Sequence, residues 1–266
     1  MSLPIPLTDP LSLAWVAWCE HERLPANTIA RRIATLRSLP NAGTAGREDV
    51  EAWFFSRAHL APATRANDLA NLRSFYAWCR RWEHRPPTDD PTYRLDAPKI
   101  PKGLPHPISR ANLHALLTVL DPDLRRAVAL GAYAGLRVSE AAALTWHDVD
   151  LETNRIRVVG KGGKTRLVGL HPVLLDALLP DTGGRVVGPY TAATLQRKVN
   201  RAFRAAGIDD LTFHSLRHRY GTIAVGSGAN LLAVSRAMGH ASPSTTAIYA
   251  ATSDAELDVI AAAVVL

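Results

Sequence analysis

Five short segments carry side chains able to do chemistry: Gly135-Leu136-Arg137-Val138-Ser139-Glu140, Gly160-Lys161-Gly162-Gly163-Lys164, His214-Ser215-Leu216-Arg217-His218, Gly239-His240, and Tyr249 nine residues further on. Taken singly, each has a plain structural use. An arginine after a glycine forms ion pairs, a lysine in a tight turn is solvated, and a helical His-x-x-Arg satisfies carboxylates or carbonyls. Together they supply what is needed to break a phosphodiester without a metal. The pentacoordinate transition state gathers negative charge on its non-bridging oxygens, which two guanidiniums and an imidazole N–H can stabilise. A tyrosine hydroxyl, with an ordinary pKa of about 10, becomes a nucleophile when a histidine takes its proton. A lysine on a turn can protonate the leaving 5′-oxygen.

These segments need a frame, and the hydrophobic periodicity provides one. Residues 8–82 read as four helices with short connections. The first opens on Asp9-Pro10. The second puts Ile29, Ile33 and Leu36 inside and Arg31, Arg32 and Arg37 outside. Arg47–Ser56 is the third. The fourth, Pro62–Trp82, carries Leu69, Leu72, Phe75, Tyr76 and Trp78 on one side with Arg65 and Arg73 on the other. Residues 85–107 hold seven prolines with Lys99 and Lys102, which reads as a stiff extended linker, too polar to bury. Ser109 caps the next helix, and another runs from about Asp123 to Gly135. Arg155–Val159 and Thr165–Gly169 alternate in character around the Gly160–Lys164 turn and read as a hairpin. The remainder is helical, over about 191–206, 214–226, 230–238 and 243–250. A last helix begins at the capping box Ser253-x-x-Glu256, with Leu257, Ile260 and Val264 along one face. The expected fold is mainly α with a small β-hairpin or sheet.

Composition narrows the partners. The 266 residues are 47% hydrophobic and 21% charged, which excludes a disordered or low-complexity chain. No stretch reaches the roughly 20 apolar residues of a membrane span, and the N-terminus lacks a signal peptide, so a cytoplasmic location is expected. Cys19 and Cys79 have no metal-ligand spacing and read as reduced core thiols. The net charge is +7, carried mostly by arginine. Guanidinium forks suit phosphate, so nucleic acid is the leading partner class, although an arginine-rich codon bias explains the charge equally well.

The motif set, taken in order, resembles the tyrosine recombinase (phage integrase) family and is closest in pattern to its Xer-like members. Gly-Leu-Arg-Val-Ser-Glu, Gly-Lys-Gly-x-Lys, His-x-Leu-Arg-His, Met-Gly-His and Ser-x-x-Thr-Thr-x-x-Tyr all stand within residues 8–252. The resemblance implies a helical core-binding domain (1–84), the linker (85–107), a catalytic domain (108–252) and a tail helix (253–266) able to dock on its own domain or on a neighbour. No additional arm-binding domain is expected. It implies that Arg137 and Arg217 grip the scissile phosphate, that Tyr249 is the nucleophile, that His240 bonds a non-bridging oxygen and that His214 is the general base. Lys161 would be the general acid, with Lys164 as rival, and Glu140 would support the site. Arg31, Arg32, Arg65, Arg73 and Lys102 are candidate DNA contacts. No metal or cofactor is implied. The implied partners are double-stranded DNA carrying recombination sites, a homo-tetramer on paired sites, and a directionality or accessory protein. The implied activity is site-specific recombination through a 3′-phosphotyrosine and a Holliday junction. A type IB topoisomerase, or a non-catalytic DNA-binding regulator on the same scaffold, are the alternatives.

Overall fold

The computed structural model describes residues 7–100, 106–160, 163–178 and 184–239. The chain divides into two compact units, Met1–Lys102 and Gly103–Leu266.

Four helices build the first unit: α1 (Pro10–His21), α2 (Ala26–Ser38), α3 (Arg47–Ser56) and α4 (Pro62–Arg81). Asp9 caps α1 by accepting from the Ser12 N–H at 2.9 Å, which satisfies one of the free donors of a helix start. The same carboxylate accepts from the Gly43 N–H at 3.0 Å, tying the α2–α3 connection to the start of the chain. Helix α4 buries Leu69, Leu72, Phe75, Tyr76 and Trp78 against Trp15 and Leu36, with the Trp15 and Phe75 rings edge to face at 5.3 Å. Cys19 and Cys79 lie in this core as free thiols.

Residues 85–95 depart from the stiff extended linker read from the prolines. They fold back on the bundle in a series of turns, and Leu95 joins its core at 3% exposure. Polarity does not prevent this burial because Arg85, Asp89 and Asp90 each find a partner. Arg85 donates to the Gly43 and Ala45 carbonyls and pairs with Asp89 at 3.0 Å, while Arg80 meets Asp90 at 2.9 Å. The first unit therefore extends beyond residue 84.

The second unit is built around α6 (Pro122–Ala134), buried along most of its length. Around it stand α5 (Arg110–Val119), α7 (Val138–Ala143), α8 (Pro172–Ala177), α9 (Ala192–Ala205), α10 (Phe213–Gly226) and α11 (Leu231–Met238). Small residues let α10 approach α6 closely: a Cβ on Gly131 would stand 3.0 Å from the Leu216 Cβ. Strands β1 (Val149–Asp150), β2 (Arg155–Val159) and β3 (Thr165–Gly169) form one antiparallel sheet in that order. In the β2–β3 register Val158 faces Arg166 and Arg157 faces Leu167. Ile156, Val158 and Val168 point into the core. The mainly helical fold with a small sheet matches the sequence reading. The short β1, and α8 opened by His171 and Pro172, are additions to it. The helices expected after residue 240 lie outside the described residues.

Candidate active site

The site begins where α6 ends. Gly135 closes the helix in the left-handed conformation (φ 65°), and a side chain there would also collide with the Tyr220 ring, 2.6 Å from an ideal Cβ. The chain then turns, and Arg137 becomes the residue before α7. Glu140, three residues on, reaches back: its Oε2 accepts the Arg137 backbone N–H at 2.7 Å and its Oε1 accepts from Arg137 Nη1 at 2.9 Å. This is the geometry of a capping box, with a charged side chain added. Arg137 Nη2 continues to the Gly239 carbonyl at 2.9 Å.

Helix α10 delivers the second guanidinium. Phe213 and Leu216 anchor the helix in the core, and Arg217 follows at 1% exposure. Its Nη1 donates to the Gly135 carbonyl at 2.6 Å and its Nη2 to the Met238 carbonyl at 2.5 Å. The two arginines, 80 residues apart in sequence, therefore meet on adjacent carbonyls at the C-terminal end of α11, which Gly239 closes in the left-handed conformation. A helix C-terminus is electronegative and leaves its last carbonyls unpaired, so it is a natural anchor for cations.

His214 and His218 share the Arg217 side of α10 because residues three and four apart lie on one face. Their rings meet edge to face at 4.6 Å. Loss of hydration, then His218 and the Arg217 and Arg137 guanidiniums, pushes the His214 pKa down to about 4; His218 is lowered too, by burial and by Arg217. His214 is exposed at the start of α10, and the histidine and two guanidiniums around it favour its neutral form. In DNA-free protein its ring should titrate near pH 4 by NMR, against about 6.5 for an ordinary histidine. A midpoint between 6 and 7 would mean a solvated ring. Between these values the unfolded chain binds the extra proton, so this histidine's contribution to stability is complete above pH 6.5 and lost as the pH falls towards 4.

The Gly160–Lys164 turn starts beside this cluster. A Cβ on Gly160 would stand 3.6 Å from Glu140 Oε1. Lys164 is exposed, and its carbonyl accepts the Gly160 N–H at 2.8 Å. Lys161, His240, Tyr249 and Lys102 lie outside the described residues. Among the described residues no group of histidines, cysteines and carboxylates could hold a metal ion, and no helix is long and apolar enough to cross a membrane.

The profile of the phage integrase family matches residues 108–256. The chain belongs to the phage integrase family. Its recombinase relatives include tyrosine recombinase XerD of Vibrio cholerae, 33% identical over 230 residues that cover 77% of this chain and 75% of that one. XerD of Pseudomonas putida is 32% identical over 249 residues, 83% of this chain and 81% of that one. Among solved structures, a lambda integrase dimer bound to a COC′ core site superposes with a TM-score of 0.74 at 17% identity, covering 90% of this chain and 75% of that chain. The Tn1549 transposon integrase in complex with a circular intermediate DNA gives 0.71 at 17%, covering 91% and 95%. This phage integrase is a tyrosine-type site-specific DNA recombinase.

Within this integrase the candidate DNA contacts of the first unit fare unequally. Arg31 is exposed. Arg32, read as an outward residue, turns inward: it donates to Cys19 Sγ at 3.0 Å and Ser74 Oγ at 3.1 Å, with its guanidinium 4.7 Å from the Trp15 ring centre. A buried tryptophan face attracts a guanidinium, and helical periodicity cannot register that. Arg65 lies over Phe54 at 4.6 Å, and Arg73 donates to the Leu95 carbonyl.

Two features escaped the sequence reading. Helix α9 buries Leu195, Val199 and Phe203, exposes Arg197, Arg201 and Arg204, and contains no acidic residue. The helical spacing of both sets, four and four for the apolar residues and four and three for the arginines, was the available signal. Arg166 is the other: it pairs with Glu140 through Nη1 and Nη2, each at 2.8 Å. In β3 it alternates with Leu167 and shares the inward face of Val168, an unusual place for a charge.

Proposed function

We propose that Tyr249 attacks the scissile phosphate, leaving a 3′-phosphotyrosyl bond and a free 5′-hydroxyl. The hydroxyl of a second duplex then reverses the step, and the two strand exchanges are separated by a Holliday junction. One phosphoester replaces another at each step, so rejoining needs no ATP. Arg137 and Arg217 hold the non-bridging oxygens together with His240. His214 takes the tyrosine proton, and Lys161 protonates the leaving oxygen, with Lys164 as the alternative donor. The observation that carries this reading is the convergence of Arg137 and Arg217 at one end of α11 beside a neutral His214: an anion cradle next to an available base. The α9 arginines and Arg31 face the DNA backbone. Four copies act on paired sites, and the apolar face of Leu257, Ile260 and Val264 suits exchange of the tail between copies. An accessory protein sets direction.

The test is covalent trapping. The protein is incubated with nicked duplexes tiled from the DNA flanking its gene, in EDTA and without ATP, and adducts are resolved on a denaturing gel and digested. The expected product is DNA on the peptide containing Tyr249. An adduct on another residue would overturn the choice of nucleophile. Tight binding to a duplex that is never cleaved would favour the regulator reading.

A further inference from the structure

We propose that Arg166 is a positioning residue for strand cleavage: its guanidinium holds Glu140 against Arg137 and, at the same time, fixes the end of α11 from which His240 follows. The proposal rests on the cleavage reading above.

Three consecutive carbonyls at the end of α11 are each taken by a different arginine. Arg166 Nε donates to Ala237 at 2.7 Å, Arg217 to Met238 at 2.5 Å, and Arg137 to Gly239 at 2.9 Å. Arg166 alone of the three stands on the sheet. Its fork also closes on Glu140 with two parallel bonds of 2.8 Å, so one planar group binds both a carboxylate and a helix end. Glu140 is 4% exposed and accepts four hydrogen bonds, two from Arg137 and two from Arg166. That fills the acceptor sites of both oxygens and leaves the carboxylate one orientation. Arg137, at 36% side-chain exposure, sits at the open edge of the cluster, so its direction depends on Glu140 and hence on Arg166.

A lysine at 166 would keep the charge and the inward position. It could not reproduce a planar fork with Nε aimed elsewhere. If the only need were a counter-charge for Glu140, Arg166→Lys would be silent. If the need is direction, cleavage falls while fold and binding survive, because misplacing a transition-state group by about 1 Å costs on the order of 10²-fold.

The experiment compares wild type, Arg166→Lys, Glu140→Gln and the double variant in single-turnover adduct formation on a nicked duplex. Half-site binding and thermal melting are measured alongside. A second substrate carries a 5′-bridging sulfur, whose thiolate leaves without a proton donor. Arg166→Lys is expected to slow adduct formation about 10- to 100-fold on both substrates, with binding within threefold, and the double variant is expected to be no slower than the slower single. A rate within threefold of wild type would overturn the proposal. So would full rescue by the sulfur substrate, which would put Arg166 behind the leaving-group acid, or a loss of melting temperature and binding in step with rate. If wild type forms no adduct on Tyr249, the cleavage reading fails, and hydrogen exchange decides this inference separately. Faster exchange in Arg166→Lys confined to residues 136–141 and 234–239 supports it, and unchanged exchange there overturns it.

Discussion

Arg217→Ala should abolish measurable cleavage, a loss of at least about 10³-fold, and should also weaken the fold. Removing one charged donor aimed at developing charge costs on the order of 10²–10³. Arg217 does more than that. Its buried guanidinium is the partner of the Gly135 and Met238 carbonyls, so it joins the end of α6 to the end of α11. Alanine leaves both acceptors buried without that donor, at roughly 1–3 kcal/mol each, and lets the segment leading to His240 drift from Arg137. Cleavage should therefore be measured at a temperature where circular dichroism shows the variant still folded. Arg137→Ala provides the contrast. It lies at the open edge of the cluster, so it should lose about 10²–10³ in cleavage with a melting temperature close to wild type. Equal destabilisation by both variants would mean that the two arginines share one structural role.

That asymmetry between two residues of one motif set shows what can be read from a sequence. Gly135 and Glu140 are local signals. A glycine at a helix end and a carboxylate three residues after the turn imply a left-handed cap and a back-bonded helix start without knowledge of the fold. The hairpin was legible in the same way, from alternation around a glycine-rich turn. The neighbours of Arg137 and Arg166 were not, because their partners Gly239 and Ala237 are 102 and 71 residues away. Nothing within a window of one or two helical turns encodes such a meeting. Arg32 and Leu95 failed for another reason. The reading assigned arginine to solvent and a proline-rich, charged segment to a linker, whereas an aromatic face and paired charges made both burials favourable. Position on an element was readable, while the surface that the element meets was not.

Glu140 concentrates these long-range effects, and Glu140→Ala is expected to destabilise the fold by about 3–5 kcal/mol. That is the usual cost of removing one partner from a buried ionic cluster, since the other charges stay behind unpaired. Here the remainder is two guanidiniums, Arg137 and Arg166, which share the Oε1 oxygen of that carboxylate and would repel once it is gone. Glu140→Gln keeps the shape and part of the hydrogen bonding, so it should melt between alanine and wild type while still cleaving slowly. The two variants also differ from wild type in their response to acid. Burial raises the Glu140 pKa, but the Arg166 hydrogen bonds, the Arg137 N–H and both positive charges outweigh it, and the net direction is below the ordinary 4.5. A carboxylate held low in the native state stabilises the fold above the unfolded pKa, and that contribution disappears as the pH falls through the native value. Wild type should therefore lose melting temperature more steeply than Glu140→Gln below about pH 4.5, the ordinary carboxylate range. The His214 contribution falls away earlier, from pH 6.5 downward, and is common to both proteins, so the two windows separate in a pH series. Parallel curves for wild type and Glu140→Gln below pH 4.5 would show that the carboxylate is not charged in the native cluster. The arginine arrangement would then need another source of order.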